Sequence, residues 1–317
     1  MDKFSSQLLT GIARCGRSSR VLRPFILLSL VMGLVSCDGK PPKFVEQKIT
    51  SPVQSVSAGE TDKGFGLINT DWAKDSLWNH AVEVAEYLSE EETENGTKSF
   101  TEIRLTRRYW FSKEFHTISE DTARKDLYPV LAQQAIASDA AYPCPTQTSA
   151  WIGVLPNEPF KVVRYIASWQ GEGGISNKAL LRLVGKSKLV CQNSFGANGE
   201  GEYDLQYDTF FEDQIPLSLR SLNFQENLEF VRPTLVSQLF RGADLPKYFQ
   251  GDYKVEGRDT VETKLGRIAC WKVSVEHGTK KDYYWFEEAL PHILVKAELA
   301  SGVSKLLQKR TYQRLLP

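Results

Sequence analysis

The sequence predicts a mostly β (α+β) protein, built on an antiparallel sheet with a few helices. Three observations lead there. Runs rich in Val, Ile and aromatic residues alternate with period two along much of the chain after residue 78. Gly, Pro and Asn-Gly turns separate these runs at short intervals. Stretches with helical spacing are few, and a proline opens each of them.

The N-terminus comes first and differs from the rest. Lys3, Arg14, Arg17, Arg20 and Arg23 precede a short apolar run over 25–34. That run is shorter than the roughly 20 residues a membrane-spanning helix needs and has the layout of a signal peptide. It closes on Leu34-Val35-Ser36-Cys37, which resembles the lipobox of bacterial lipoprotein signals. The resemblance implies diacylglycerol on the Cys37 sulfur and cleavage after Ser36. Each buried methylene of an acyl chain contributes roughly 0.8 kcal/mol, so two or three chains hold a protein on a bilayer. Asp38 follows the cysteine, a position that resembles an inner-membrane retention signal in enteric bacteria; the choice of membrane stays open.

Residues 37–75 form the lipidated cysteine and its tether. Pro41, Pro42 and Pro52 interrupt a stretch rich in Ser, Gln, Lys and Gly, with little to bury. Such a segment spans on the order of 30 Å. A strand around 65–68 is the alternative at its end. Residues 76–317 are expected to form one β-rich domain, with a possible sub-boundary near 215–250.

Within that domain, Val82, Val84, Glu86 and Leu88 alternate with Glu83, Ala85 and Tyr87, and Asn95-Gly96 marks a hairpin. The next strand puts Ile103, Leu105, Arg107, Tyr109 and Phe111 on one face. Glu102, Arg104, Thr106 and Arg108 fall on the other, as in a sheet with one wet face. Residues 121–141 fit either a helix opened by Pro129 or an edge strand. Residues 151–155 and 160–169 read as strands, and the glycines around 171–174 as a turn without phosphate-binding spacing. Further strands follow over 180–184, 189–194 and 203–207. Pro216 and Pro233 open two short helical candidates, over 217–222 and 234–241. The last 65 or so residues read as a meander with strands at 253–255, 260–263, 267–276, 282–286, 292–299 and 303–312, turning near Gly266, Gly278 and Gly302.

Composition narrows the partners. The full chain carries 39 basic and 39 acidic residues; loss of residues 1–36 leaves 34 against 38. No basic field is present, which excludes nucleic acid as a partner. Cys144, Cys191 and Cys270 remain after the signal and the anchor are set aside. They fit either one disulfide with a spare thiol or three free thiols, and their spacing fits no zinc pattern. His80, His116, His277 and His292 show no HxH or HxxxH pairing, and no GxSxG elbow occurs. No catalytic residue, metal ligand or cofactor is assigned, although carboxylates distant in sequence can still meet in space.

The C-terminal meander carries a second resemblance. Leu265-Gly266, Cys270-Trp271-Lys272-Val273, Trp285-Phe286, the run from Pro291 through Ile293 and Val295 to Lys296, and Gly302 resemble periplasmic β-sheet proteins related to lipoprotein carriers and the DUF3108-type family. That resemblance implies a curled antiparallel sheet, or open half-barrel, whose concave apolar face receives acyl chains. The whole mature chain also resembles a bacterial lipoprotein group, some of whose members are labelled septum formation inhibitor. The motifs of nucleotide pyrophosphatases that share that label are not visible here.

The candidate ligand-binding residues are therefore Trp271, Val273, Val275, Trp285, Ile293 and Val295, beside the lipid attachment at Cys37. The expected role is a non-enzymatic binding or carrier protein for a hydrophobic ligand, tethered in the cell envelope. The alternative is a structural adaptor that binds another envelope protein through sheet edges. Mass spectrometry of the purified protein is expected to find Cys37 as the first residue, with acyl chains attached; an unlipidated or different N-terminus would refute the anchor.

Overall fold

The computed structural model describes residues 67–94, 96–113, 118–119, 124–139, 146–183, 186–194, 200–206, 209–239 and 246–315. Cys37, the tether up to residue 66, His116 and Cys144 lie outside them. A strap with helix α1 (Asp71–Lys74) and a 3₁₀ turn (Ser76–Asn79) leads into β1 (Ala81–Thr93). Seven strands follow: β2 (Gly96–Ser112), β3 (Leu127–Asp139), β4 (Thr146–Leu155), β5 (Glu158–Gly171), β6 (Gly174–Leu183), β7 (Lys186–Asn193) and β8 (Gly201–Leu205). The two-residue β9 (Phe210–Phe211) precedes a helical segment made of a 3₁₀ turn (Glu212–Gln214), α2 (Ile215–Ser218) and a second 3₁₀ turn (Leu219–Ser221). The chain then runs through β10 (Glu229–Leu235), β11 (Tyr248–Thr263), β12 (Gly266–His277), β13 (Lys280–Glu287), β14 (Leu294–Glu298) and β15 (Val303–Arg314).

Among the described residues these fifteen strands make one sheet, in the order β8-β7-β6-β5-β4-β3-β2-β1-β15-β14-β13-β12-β11-β10-β9. Every neighbouring pair is antiparallel except β9 with β10. The chain walks out from β1 to one edge, crosses to the other edge, and walks back to pair β15 with β1. Laid flat, such a sheet is roughly 70 Å wide at ~4.8 Å per strand. Leu205 at one edge and Phe210 at the other are only five chain steps apart, which limits their separation to ~18 Å. The sheet must therefore curl until its edges approach, and it does so without hydrogen-bonding them together.

Residues 210–222 fill the curl. Every residue from 214 to 222 is buried. Phe210, Ile215, Leu219 and Leu222 join the core of the C-terminal half-sheet, whereas Phe211 and Leu217 join that of the N-terminal half. The two adjacent phenylalanines point apart: Phe210 packs edge-on against Tyr253 and Phe160, and Phe211 stacks on Tyr165 with ring centres 4.5 Å apart.

Burial of this segment strands its polar groups, and each finds a partner on the wall. Gln214 accepts from Phe211 N and donates to Phe160 O, while Ser218 donates to Pro159 O at 2.6 Å. Arg220 makes a two-pronged pair with Glu83 of β1 at 2.8 and 3.0 Å, with both side chains at most 2% exposed. Its Nε donates to Pro291 O, and its plane lies 4.4 Å from the Trp72 ring centre. Tyr312 of β15 donates to Glu83 as well. The strap closes this end: Trp72 donates to Ser221 Oγ, Trp78 donates to Trp72 O, and Ile68 bridges Leu222. Residues 67–75, which composition assigns to the tether, are thus packed on the body through Trp72, with Trp78 just beyond them, and both bury their rings and satisfy their N–H groups.

Three local expectations are corrected. Residues 127–139 form a strand between β2 and β4, neither helix nor edge. Tertiary pairing overrides the helical reading there, and Pro129 sits near the strand's start, where a missing N–H is tolerated. The candidate helix at 234–241 is instead the end of β10, followed by an irregular stretch, although Leu235 and Leu239 do reach the core. The separate strands at 253–255 and 260–263 are one strand, β11. It is bulged at Gly257, whose φ of +130° suits glycine. Pro216 does open a helical turn, α2, as its fixed φ favours.

Removal of one member of a buried ion pair leaves the other uncompensated, at about 3–5 kcal/mol. Arg220→Met is expected to lose about that much in urea unfolding, and Glu83→Gln in the same chain to restore part of it. Strictly additive losses would show that the pair is not coupled.

Candidate functional site

The six apolar candidates all lie in the core of the C-terminal half-sheet, none more than 8% exposed. Trp271, Val273 and Val275 alternate along β12 on the concave face, in register with Phe286, Tyr284 and Asp282 of β13. Ile293 and Val295 pack in the same cluster. Trp285 is paired with Lys272 and therefore points to the opposite, convex face. Trp271 stacks nearly parallel on Phe224 at 5.9 Å, and Arg258 covers it at 5.0 Å. The structure brings five of the candidates together as packing around residues 210–222 and sets the sixth apart.

Trp285 lines a shallow groove of about 240 Å³ with Asp259, Val261, Lys296 and Leu306 among its neighbours. Its indole N–H donates to Asp259 at 2.8 Å, and Lys272 and Lys296 sit 5.0 and 4.7 Å from its ring. The indole hydrogen bond holds Asp259 below the usual carboxylate range. Cys191 and Cys270 are buried free thiols in different core clusters. Burial, with Glu287 and Asp259 nearby, pushes the Cys270 thiol up to about 12, so it is no nucleophile at neutral pH.

The charges that sequence reasoning missed lie inside. On β2 the concave face carries Glu102, Arg104 and Thr106, all buried, while Ile103 faces outward and is 37% exposed. Glu102 is clamped between Arg104 and Lys305 of β15; Arg104 continues to Gln133, and Gln133 to Thr106. Burial alone would raise the Glu102 pKa, but the two cations hold it at about 2. Glu212 stands in the opposite situation. It accepts one hydrogen bond, from Ser237 N at 2.8 Å, and burial with the nearby Asp213 raises it to about 7. Asp213 is better served, accepting from Tyr165, Ser237 and Gln238. Lys178, 1% exposed, donates to Gln238 O. Alternation told that these polar residues share a face; only the curl decides that the face is interior. Among the described residues no three His, Cys, Asp or Glu side chains are grouped to hold a metal ion.

The convex face of the N-terminal half-sheet is apolar in its middle. One cross-strand row runs Leu105, Gln134, Trp151, Ile166, Ala179; the next runs Arg107, Ala132, Gly153, Arg164. Neither row contains a carboxylate. A Cβ on Gly153 would lie 2.8 Å from both the Trp151 ring and Val130, so glycine alone leaves room for that ring to lie across the row.

These features define a class: a single curled antiparallel sheet, β-barrel-like but unclosed, whose lumen is filled by its own chain. No family model matches the sequence, and no curated protein matches it. Among solved structures it is similar to a β-barrel-like protein of domain of unknown function DUF1849 from Brucella abortus, with 10% identity, 74% of this chain and 98% of that one covered, and a TM-score of 0.43.

Glu212 gives the protein a specific pH response. Its folded pKa of about 7 exceeds the ordinary 4.5, so between these values the native state keeps a proton that the unfolded chain has lost. Its stabilising contribution is complete below pH 4.5 and falls away as pH rises to about 7, by on the order of 3 kcal/mol. Denaturation at a series of pH values is expected to show Glu212→Gln without this decline. An unchanged difference from wild type between pH 4.5 and 7 would place Glu212 in contact with water.

Proposed function

We propose that the protein is a lipid-tethered envelope lipoprotein whose body is a non-enzymatic binding module acting through its outer surface, as an adaptor for another envelope component. The observation that carries this reading is the filled lumen. In the carrier-like alternative, the concave face holds acyl chains; here Phe210, Ile215, Leu219 and Leu222 occupy that volume with side chains at most 2% exposed. To admit an acyl chain the protein would have to withdraw residues 210–222, break the buried Arg220–Glu83 pair and leave both half-sheet cores open. The geometry supports surface binding at lower cost.

Two features of the surface suit an adaptor. β8 is an edge strand, hydrogen-bonded to β7 on one side only among the described residues, and such an edge can accept a partner's strand. Its Glu202 is paired with Lys188 of β7 at 2.8 Å. The anchor at Cys37 would keep this surface beside a membrane.

Solvent extraction of protein purified from envelopes, followed by lipid mass spectrometry, is expected to release no stoichiometric lipid beyond the covalent anchor, and crosslinking in cells to yield one dominant protein partner. A bound fatty acid or lipoprotein at one per chain would reverse the assignment in favour of carriage.

A further inference from the structure

We infer that the convex face of β2–β5 docks on an anionic phospholipid bilayer, at the end of the sheet nearest the strap. The first reason is its charge. Arg107 lies 4.5 Å from the ring centre of Tyr109, and Arg164 lies 5.7 Å from that of Trp151. Among the described residues neither guanidinium has a carboxylate within ion-pair distance. On this face Glu86 is paired with Lys309 and Glu158 with Lys161 at the β4–β5 turn, while the exposed Glu90 and Glu92 lie toward the far end of β1 from Arg107. At the strap end the face thus offers two cations that no carboxylate pairs among the described residues.

The second reason is the chemistry between those cations. They stand in one cross-strand row, three strands apart, which is roughly 14 Å. Ala132 and Gly153 separate them, and over these small residues lie the rings of Tyr109 and Trp151, 5.7 Å apart. Ile103 on the same face is 37% exposed. Indole and phenol rings flanked by guanidinium groups match the headgroup level of a bilayer, where rings sit among glycerol groups and cations reach phosphates. A second copy of the chain fits poorly, because a two-fold contact would bring the same arginines against each other.

The third reason is position. Arg108, next to Arg107, donates to the strap at Ala73 O, Asp75 O and Asn79 Oδ1. Arg108 points to the face opposite Arg107, so the strap, about thirty residues after Cys37, meets the body at the same end of β2 as this row but on the lumen side. This last point rests on the proposed anchor; the first two do not. With the anchor in place, docking would set the body against the membrane instead of letting it swing on its tether.

The full-length lipoprotein would be placed in vesicles of phosphatidylcholine with and without phosphatidylglycerol, with brominated acyl chains as quenchers of tryptophan fluorescence. With phosphatidylglycerol, part of the quenching is expected to vanish in Trp151→Phe, and the same part in Arg107→Ala/Arg164→Ala, while Arg107→Lys/Arg164→Lys retains it. Protein that stays on such vesicles with identical quenching in wild type and Trp151→Phe overturns the docking face and leaves the anchor standing. If Cys37 proves unlipidated, flotation of the same chain reads the face directly. Binding to phosphatidylglycerol vesicles is then expected to fall roughly 30-fold in the double alanine variant, at about a factor of five per cation, and equal flotation of both would overturn the inference. A photocrosslinker at position 151 that captures one protein and no lipid would overturn it too.

Discussion

The width of the curled sheet is the constraint from which the rest follows. About eight strands make a barrel narrow enough for side chains alone to fill. Fifteen strands curl around a much wider space, and close packing forbids an empty interior of that size. The chain resolves this by sending residues 210–222 through the middle. Such a filler brings its own backbone out of water, so it adopts short helical turns that satisfy most of their own groups. The remainder is met by the wall: Gln214 and Ser218 bond to the start of β5, and Arg220 bonds to β1 and to Pro291. Those same bonds tie the two half-sheets together, so the element that fills the space also fixes its shape.

A lumen occupied in this way is packed by the protein's own side chains. Trp271, Tyr284 and Phe286 of the C-terminal meander pack in the core, Trp285 lines a groove on the convex face, and the interior carboxylates are held in contrasting states by their neighbours. Glu102 has two cations beside it and stays ionised; Glu212 has burial and Asp213 beside it and favours its proton near neutrality. The outside differs between the two halves. The convex face of the C-terminal half carries matched pairs such as Lys281 with Glu256 and Lys296 with Glu298. The convex face of the N-terminal half carries apolar rows and arginines resting on rings.

Most strands were legible because a sheet residue announces itself locally. The alternation along β2, the turns at Gly266, Gly278 and Gly302, and the Pro216 helical start all follow from φ preferences and side-chain spacing within a few residues. Where local signals conflicted, tertiary pairing prevailed. Residues 127–139 have enough Ala and Leu for a helix, yet β2 and β4 on either side offer two complete ladders of hydrogen bonds. Trp72 lies in a stretch that composition places at the end of a tether, and it is buried because Arg220 and Ser221 supply a cation and an acceptor for its ring.

By itself the sequence determined most of the strands, their antiparallel sense, the mostly β class and the apolar pattern of the C-terminal meander. Each of these depends on neighbours within one strand or one turn. The tertiary structure decided which face of each strand became interior, that Glu83 and Arg220, 137 positions apart, would meet, and that residues 210–222 would occupy the space between the half-sheets. Period two places residues on two faces without naming either as inner, and a contact between distant charges is created only when the sheet closes around them.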